Sequence, residues 1–236
     1  RLTLFSAGHV LGSAMLLAEH EGETMLYTGD YRLGKSYTAA QAELPAADVL
    51  VMECTFGDPF YRLPPRADTI ACFIEQIKRA FRQGATPIVH AYVLGKAQEV
   101  TKILTQHGVR VQQQQDVHAI SQIYEKCGCD LGEYELYDGR PKPGHAIVSP
   151  PRTQRGCDVR GVVHAQRFAM TGWGWNPRLA ARYRCDHVVP LSDHADYAEL
   201  LETIEQVAPR RIYCTHGPKR FVDDLRQRGH AAYWLG

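Results

Sequence analysis

The sequence predicts an α/β fold with mixed sheets, and three observations carry that expectation. An apolar hairpin comes first. Short apolar runs then alternate with stretches of helical period, and chemically capable polar residues recur where the apolar runs end. Leu2 to Phe5 reads as a strand running into Ser6-Ala7-Gly8-His9. Ala14 to Ala18 and Thr24 to Tyr27 flank a turn at Gly22, which is a hairpin pattern. Asp48 to Met52 is a short strand of buried type that ends in Glu53-Cys54-Thr55, and Pro59, Pro64 and Pro65 mark the loop after it. From Asp68 the period changes. Ile70, Phe73, Ile74, Ile77 and Phe81 recur at three- and four-residue steps, so a helix is expected up to Gly84.

Pro87 to Ala91 returns as strand, and Gly95-Lys96 opens a helix carrying Ala97, Val100, Ile103 and Leu104 that Gly108 stops. Val109 to Val111 is strand again, and a third helix is expected over His118 to Lys126. Gln112 to Gln115 reads as a polar strand end or loop, and Cys127-Gly128-Cys129 as a helix end, since the spacing is too tight for a zinc knuckle. Between Gly128 and Gly161 the one strand expected is His145 to Ser149. Phe168 to Trp175 places small residues between large ones, as where a backbone approaches something closely. His187 to Pro190 is strand-like and opens into Ser192-Asp193-His194-Ala195-Asp196. A helix with Tyr197, Leu200, Leu201, Ile204 and Val207 on one face follows. Arg211 to Cys214 ends in Thr215-His216-Gly217, Phe221, Val222 and Leu225 mark a last helix, and Ala231 to Leu235 a last strand.

The 236 residues suffice for a core that needs no disulfide staples. With 27 Lys+Arg against 26 Asp+Glu, the formal net charge of +1 excludes a strongly basic DNA-wrapping protein and an acidic disordered tail. No apolar run reaches the length of about eighteen residues that a spanning helix needs. The seven cysteines, at 54, 72, 127, 129, 157, 185 and 214, are odd in number and irregular in spacing. A reducing, cytoplasmic location is therefore expected.

His9, Asp30, Glu53, His194 and His216 each fall where a predicted strand meets its loop, and that edge of an α/β sheet is where ligands bind. Imidazole and carboxylate are ligands for zinc and also serve manganese or iron. A carboxylate can bridge two such ions in phosphoryl chemistry. His9, Asp30 and His216 alone are too few for two ions, so the residues by themselves point to a metal or phosphate site.

The words SAGHVLGSA, YTGDY, ECTFG, LSDHADY and CTHG occur in this order, from residue 6 to residue 217. Together they resemble the metallo-β-lactamase superfamily, specifically its nucleic-acid-processing nucleases of the β-CASP type. FGDPFYRLPP, AYVLGKAQ, VSPP and TGWGW add a likeness to the bacterial DNA-ligase-associated exonucleases. The resemblance implies an αββα sandwich of two mixed β-sheets with helices outside, and two divalent ions, zinc or else manganese. It implies that His9 binds the first ion, that Asp30 bridges both, and that His216 binds the second. Glu53 matches the acidic residue of motif A and His194 the histidine of motif B, which that acid orients near the scissile phosphate. The catalytic set is then His194, Glu53 and Asp30. The implied reaction is phosphodiester hydrolysis by a metal-activated hydroxide, as a DNA exonuclease in repair, with an ATP-dependent DNA ligase and a helicase as associates and no membrane.

Lys96 at a helix start is expected to contact phosphate. Tyr61, Arg62, Tyr92 and Trp173 are expected to stack on or clamp a strand, with packing as the other reading of each. Asp193 and Asp196 flank His194; Asp193 is expected at the substrate-binding site, one of the two can orient a histidine, and Asp196 can cap the next helix. The sequence departs from the family's pattern: it contains no HxHxDH motif, and the family's first strand and early aspartate are not found in it. Residues 1–236 are thus expected to form a metallo-β-lactamase-like domain lacking its N-terminal portion, with a small inserted or reduced β-CASP-like region around 60–185. The arginines of YRLPPR, PPRTQR and APRR can supply local positive charge that the net charge hides. Two other readings stay open: a metallo-hydrolase of a small ester, thioester or lactam, and a non-catalytic repair-complex scaffold.

Overall fold

The computed structural model describes residues 1–151, 159 and 161–236, so Cys157 and the arginines of PPRTQR lie outside the described residues. The strands are β1 (Leu2–Ser6), β2 (Ala14–His20), β3 (Glu23–Tyr27), β4 (Val49–Glu53), β5 (Thr86–His90), β6 (Arg110–Gln113), β7 (Tyr134–Leu136), β8 (His145–Ser149), β9 (Ala165–Met170), β10 (His187–Val189), β11 (Arg211–Thr215) and β12 (Ala232–Trp234). The helices are α1 (Arg66–Arg82), α2 (Lys96–Gln106), α3 (Gln115–Lys126), α4 (Pro177–Ala180), α5 (Tyr197–Val207) and α6 (Arg220–Gln227). They divide between two compact units, Arg1–Arg62 with Asp193–Gly236, and Leu63–Ser192.

The first unit is built on a mixed sheet in the order β1-β2-β3-β4-β11-β12. β2 is antiparallel to both β1 and β3, whereas β3, β4, β11 and β12 run parallel. β1 therefore points the same way as β3, β4, β11 and β12, and the carboxyl ends of five strands open on one edge. That edge is where the chemistry gathers. One face of the sheet carries Met15, Leu26, Leu50, Met52 and Ile212, which share a core with Leu200 and Ile204 of α5 and Phe221 and Leu225 of α6. Each such side chain contributes roughly 1.5–3 kcal/mol on burial, so this face fixes the register of the strands that deliver the site.

The second unit has the sheet order β10-β9-β5-β8-β6-β7, and every adjacent pair is parallel. Helices α2 and α3 carry the chain back between β5, β6 and β7, as parallel pairing requires. Phe73 and Ile77 of α1 and Val100 and Ile103 of α2 pack with Val89, Val148 and Phe168 of the sheet. The chain is thus α/β with two sheets and helices packed on them, and the mixed character belongs to the first sheet alone.

Several elements differ from the sequence expectation. α3 starts at Gln115 rather than His118, because the Gln114 side chain accepts the Asp116 N–H at 2.8 Å and caps the helix. Gln112 and Gln113 lie inside β6 and are fully buried. Gln112 Oε1 accepts the Lys142 N–H at 2.9 Å, and Gln113 Nε2 donates to Thr101 Oγ1 at 2.8 Å. Strands β7 and β9 were not expected at all. No described helix is long and apolar enough to cross a membrane.

Candidate metal centre

The cluster is assembled by loops leaving the carboxyl edge of the first sheet. His9 follows β1 by three residues, Asp30 follows β3 by three, and Glu53 is the last residue of β4. Gly8 makes the first turn feasible. Its φ is +72°, and a Cβ there would lie 2.3 Å from the Arg32 carbonyl oxygen. His194 comes from the segment leading into α5, whose start is fixed by a reciprocal cap. The Asp196 carboxylate accepts the Ala198 and Glu199 N–H groups at 2.9 and 3.0 Å, and the Glu199 carboxylate accepts the Asp196 N–H at 3.3 Å.

Glu53 is 1% exposed, and both its oxygens are used. His194 Nδ1 donates to Oε1 at 2.9 Å, the Tyr31 N–H lies 3.4 Å from the same oxygen, and the Thr55 N–H donates to Oε2 at 3.0 Å. A buried carboxylate so satisfied is held in place. Burial pushes the His194 imidazolium down, but the hydrogen bond and charge of Glu53, aided by Asp193 and Asp30, outweigh it and hold His194 above the ordinary histidine value.

His9 Nδ1 lies 3.0 Å from the Asp193 carbonyl oxygen. A carbonyl only accepts, so Nδ1 carries a proton, which in the neutral ring leaves Nε2 its lone pair. That nitrogen lies 4.0 Å from Asp30 Oδ2, and the His9 and His194 rings are 4.8 Å apart. Imidazole held through Nδ1–H with Nε2 presented inward is how proteins orient a histidine toward a metal. The donor atoms of His9, Asp193 and His194, and likewise those of Asp30, Glu53 and His194, lie within 4.8 Å of one another. Imidazole and carboxylate at that spacing fit a borderline divalent ion.

The structure therefore brings His9, Asp30, Glu53, Asp193 and His194 together. His216 follows β11, whose Thr215 pairs with Glu53, and the next residue, Gly217, sits so close to β4 that a Cβ would lie 1.9 Å from the Cys54 carbonyl oxygen. His216 itself is exposed and belongs to neither three-residue group among the described residues.

Two expectations need correction. Lys96 is 1% exposed and donates from Nζ to the Leu191 carbonyl at 2.9 Å, so it braces the chain internally rather than meeting phosphate. Tyr61 is 7% exposed and packs against Phe56 and Phe60, which makes it a core residue rather than a clamp. Arg62 is exposed with its guanidinium 5.3 Å over the Tyr197 ring, Tyr92 is half exposed, and Trp173 is partly buried. Asp193 holds His9 through its main chain, and Asp196 caps α5.

Sequence reasoning missed Tyr31. It is fully buried beside Asp30, its N–H faces Glu53, its carbonyl accepts the Ala195 N–H at 2.7 Å, and its hydroxyl donates to Thr203 Oγ1 at 2.8 Å. One residue thus ties together the segments carrying Asp30, Glu53 and His194. The aromatic residue after the aspartate in YTGDY was the signal available.

Residues 181–234 match the family described as the Zn-dependent metallo-hydrolase RNA specificity domain. A protein named probable DNA ligase from Opitutus terrae is 35% identical over 237 residues, covering 100% of this chain and 23% of its own length. Cleavage and polyadenylation specificity factor subunit 3 of Dictyostelium discoideum is 31% identical, over 96% of this chain and 36% of its own. An RNase J-like protein of Methanocaldococcus jannaschii is 34% identical, over 45% of this chain and 26% of its own. The chain belongs to the β-CASP nucleases of the metallo-β-lactamase superfamily. It spans 23% to 36% of the length of these three relatives. Divalent-metal use, as the family description states, agrees with the donor set around His9 and Asp30.

Proposed function

We propose that this chain contributes metal ligands and the proton-transfer pair of a nuclease that hydrolyses phosphodiester bonds in DNA, acting as an exonuclease in repair. The observation that carries the reading is the meeting of His9, Asp30, Glu53 and His194 on one sheet edge. His9, Asp30 and His216 would be the residues that hold the divalent metal. A pair of such ions, when bound, activates water as the nucleophile and neutralises charge developing on the phosphate.

The chain's own residues do the rest. Glu53 keeps the His194 ring oriented and its charged form favoured, so His194 enters the reaction as a hydrogen-bond and proton donor to the leaving oxygen. The Asp193 carbonyl fixes the tautomer of His9. DNA as substrate and association with a DNA ligase are supported by the relative named probable DNA ligase, which matches the chain throughout; association with a helicase rests on the motif resemblance alone. RNA is the second reading, favoured by the names of the ribonuclease and cleavage-factor relatives. The six described cysteines are free thiols, which suits a reducing cytoplasm.

The test uses protein from the complete reading frame, with Zn²⁺ or Mn²⁺ and end-labelled DNA and RNA of one sequence. Metal analysis should find two ions, and mononucleotides should be released from DNA. Asp30→Ala should abolish that release with the fold retained. Degradation of RNA alone moves the substrate to RNA. Turnover of a small thioester with neither nucleic acid cleaved replaces the nuclease reading.

A further inference from the structure

The unit Leu63–Ser192 holds a cavity of about 200 Å³ outside the carboxyl ends of β5 and β9, where Tyr92 follows the first strand and Met170 and Thr171 close the second. Topology marks this place independently of the cavity. From β5 the chain leaves through α2 and enters β6, two places to one side in the sheet; from β9 it goes on to β10, the neighbour on the opposite side. Adjacent parallel strands whose outgoing connections part in this way leave a crevice at their carboxyl ends, the switch point at which open parallel sheets bind ligands.

The lining indicates the class of ligand. Tyr92, 50% exposed, and Tyr183 bring aromatic rings, Met170 a soft apolar contact, and Arg182 a cation. Thr171 Oγ1 and the Tyr183 hydroxyl, 3.3 Å apart, bring groups that both donate and accept. The volume is below the roughly 300 Å³ at which pockets for larger small molecules begin, and it suits one heterocyclic ring system. We propose that this cavity receives a single unstacked nucleobase of the nucleic-acid substrate, packed against Tyr92 and Tyr183, with Arg182 on an adjoining phosphate. Ring stacking with a nearby cation is the common mode of single-strand recognition. The assignment rests on nucleic acid being the substrate, and it adds a base-reading site that Tyr92 alone did not imply.

The test measures fluorescence anisotropy of a short fluorescein-labelled single strand, and of the same strand with abasic spacers in place of nucleotides, on the full chain. Tyr92→Ala and Tyr183→Ala should each weaken the base-bearing strand about tenfold, the size of one base–aromatic stack, and leave the abasic strand unchanged. Tyr92→Phe should retain affinity. Arg182→Gln should weaken both strands and reduce the slope of log affinity against log salt by about 0.7, one phosphate's share. Circular dichroism checks folding, and Tyr92→Ala, at a half-exposed position, carries the comparison if the Tyr183 variant does not fold. Equal affinity of all variants for the base-bearing strand, or an equal loss with the abasic strand, overturns the pocket and leaves the nuclease reading standing. Failure of the unaltered chain to bind either strand overturns both.

Discussion

Within the cluster, Glu53 sets the charge state of His194. Water would favour neutral imidazole at physiological pH, and burial favours it further. Glu53, 2.9 Å away and itself almost wholly buried, reverses that preference. A histidine raised in the folded state adds stability that is complete below its unfolded value and is lost as pH rises through its folded value. In the Glu53→Gln protein the burial remains and the charge does not. His194 in the metal-free variant should therefore titrate at lower pH than in the parent, and the stability gap between the two should widen as pH falls through the raised value. Nitrogen-15 NMR titration of the ring, with urea unfolding at several pH values, reads both. Identical titration of His194 in the two proteins would show that Glu53 only orients the ring. Tyr31 belongs to the same scale, since its three bonds make the backbone around Asp30 continuous with the Glu53 and Ala195 segments. It supplies position where the other residues supply chemistry.

Among the elements, α5 shows how a local rule and the site meet. Asp196 sits two residues from His194 and is a carboxylate in a motif rich in them, yet its Oδ1 accepts two N–H groups of the first turn of the helix. Asp196→Ala should lower stability by about 1 kcal/mol, as loss of such a cap does, and leave zinc affinity unchanged. Denaturant unfolding alongside zinc titration separates the two, and a large loss of affinity would place Asp196 in the ligand set. The same contrast explains what could be read from the sequence. The hairpin, β4, α1, α2 and α5 were legible because their apolar periods and their turn or cap residues agree. β9 was not, since Ala165-Gln166-Arg167 is polar and only Phe168, Ala169 and Met170 are buried. β7 has three residues, too few for any period to show. His9, Asp30 and Glu53 were legible as polar residues at strand ends. Their convergence depends on β1, β3, β4 and β11 pointing one way, which is a property of pairing. Lys96 was misread because its partner, the Leu191 carbonyl, lies 95 residues further along the chain and no local pattern announces it.

For the whole molecule, the placement of the ligands in the first unit has a consequence that spectroscopy of the intact chain can detect. His9, Asp30, Glu53, Asp193 and His194 all belong to Arg1–Arg62 with Asp193–Gly236, and none to Leu63–Ser192. An ion that binds only the folded cluster stabilises it by mass action, by about 2.7 kcal/mol at a hundredfold excess over its dissociation constant. Local opening of the loops after β3 and β4 breaks the cluster, so an ion must suppress those openings first. Hydrogen exchange with and without Zn²⁺ should therefore slow at the amides of Tyr31, Thr55 and Ala195, each hydrogen-bonded within or beside the cluster. Amides of β5, β8 and β9 should exchange at unchanged rates, since their protection comes from a separate parallel sheet and core. Chelation should restore the original rates. Zinc-dependent slowing spread evenly over both units would place the ion elsewhere or couple the units, and no slowing at Tyr31 and Ala195 would remove the cluster as the ion's site. The net charge of +1 makes the outcome easier to interpret, because a nearly neutral surface gathers few divalent ions without specific ligands.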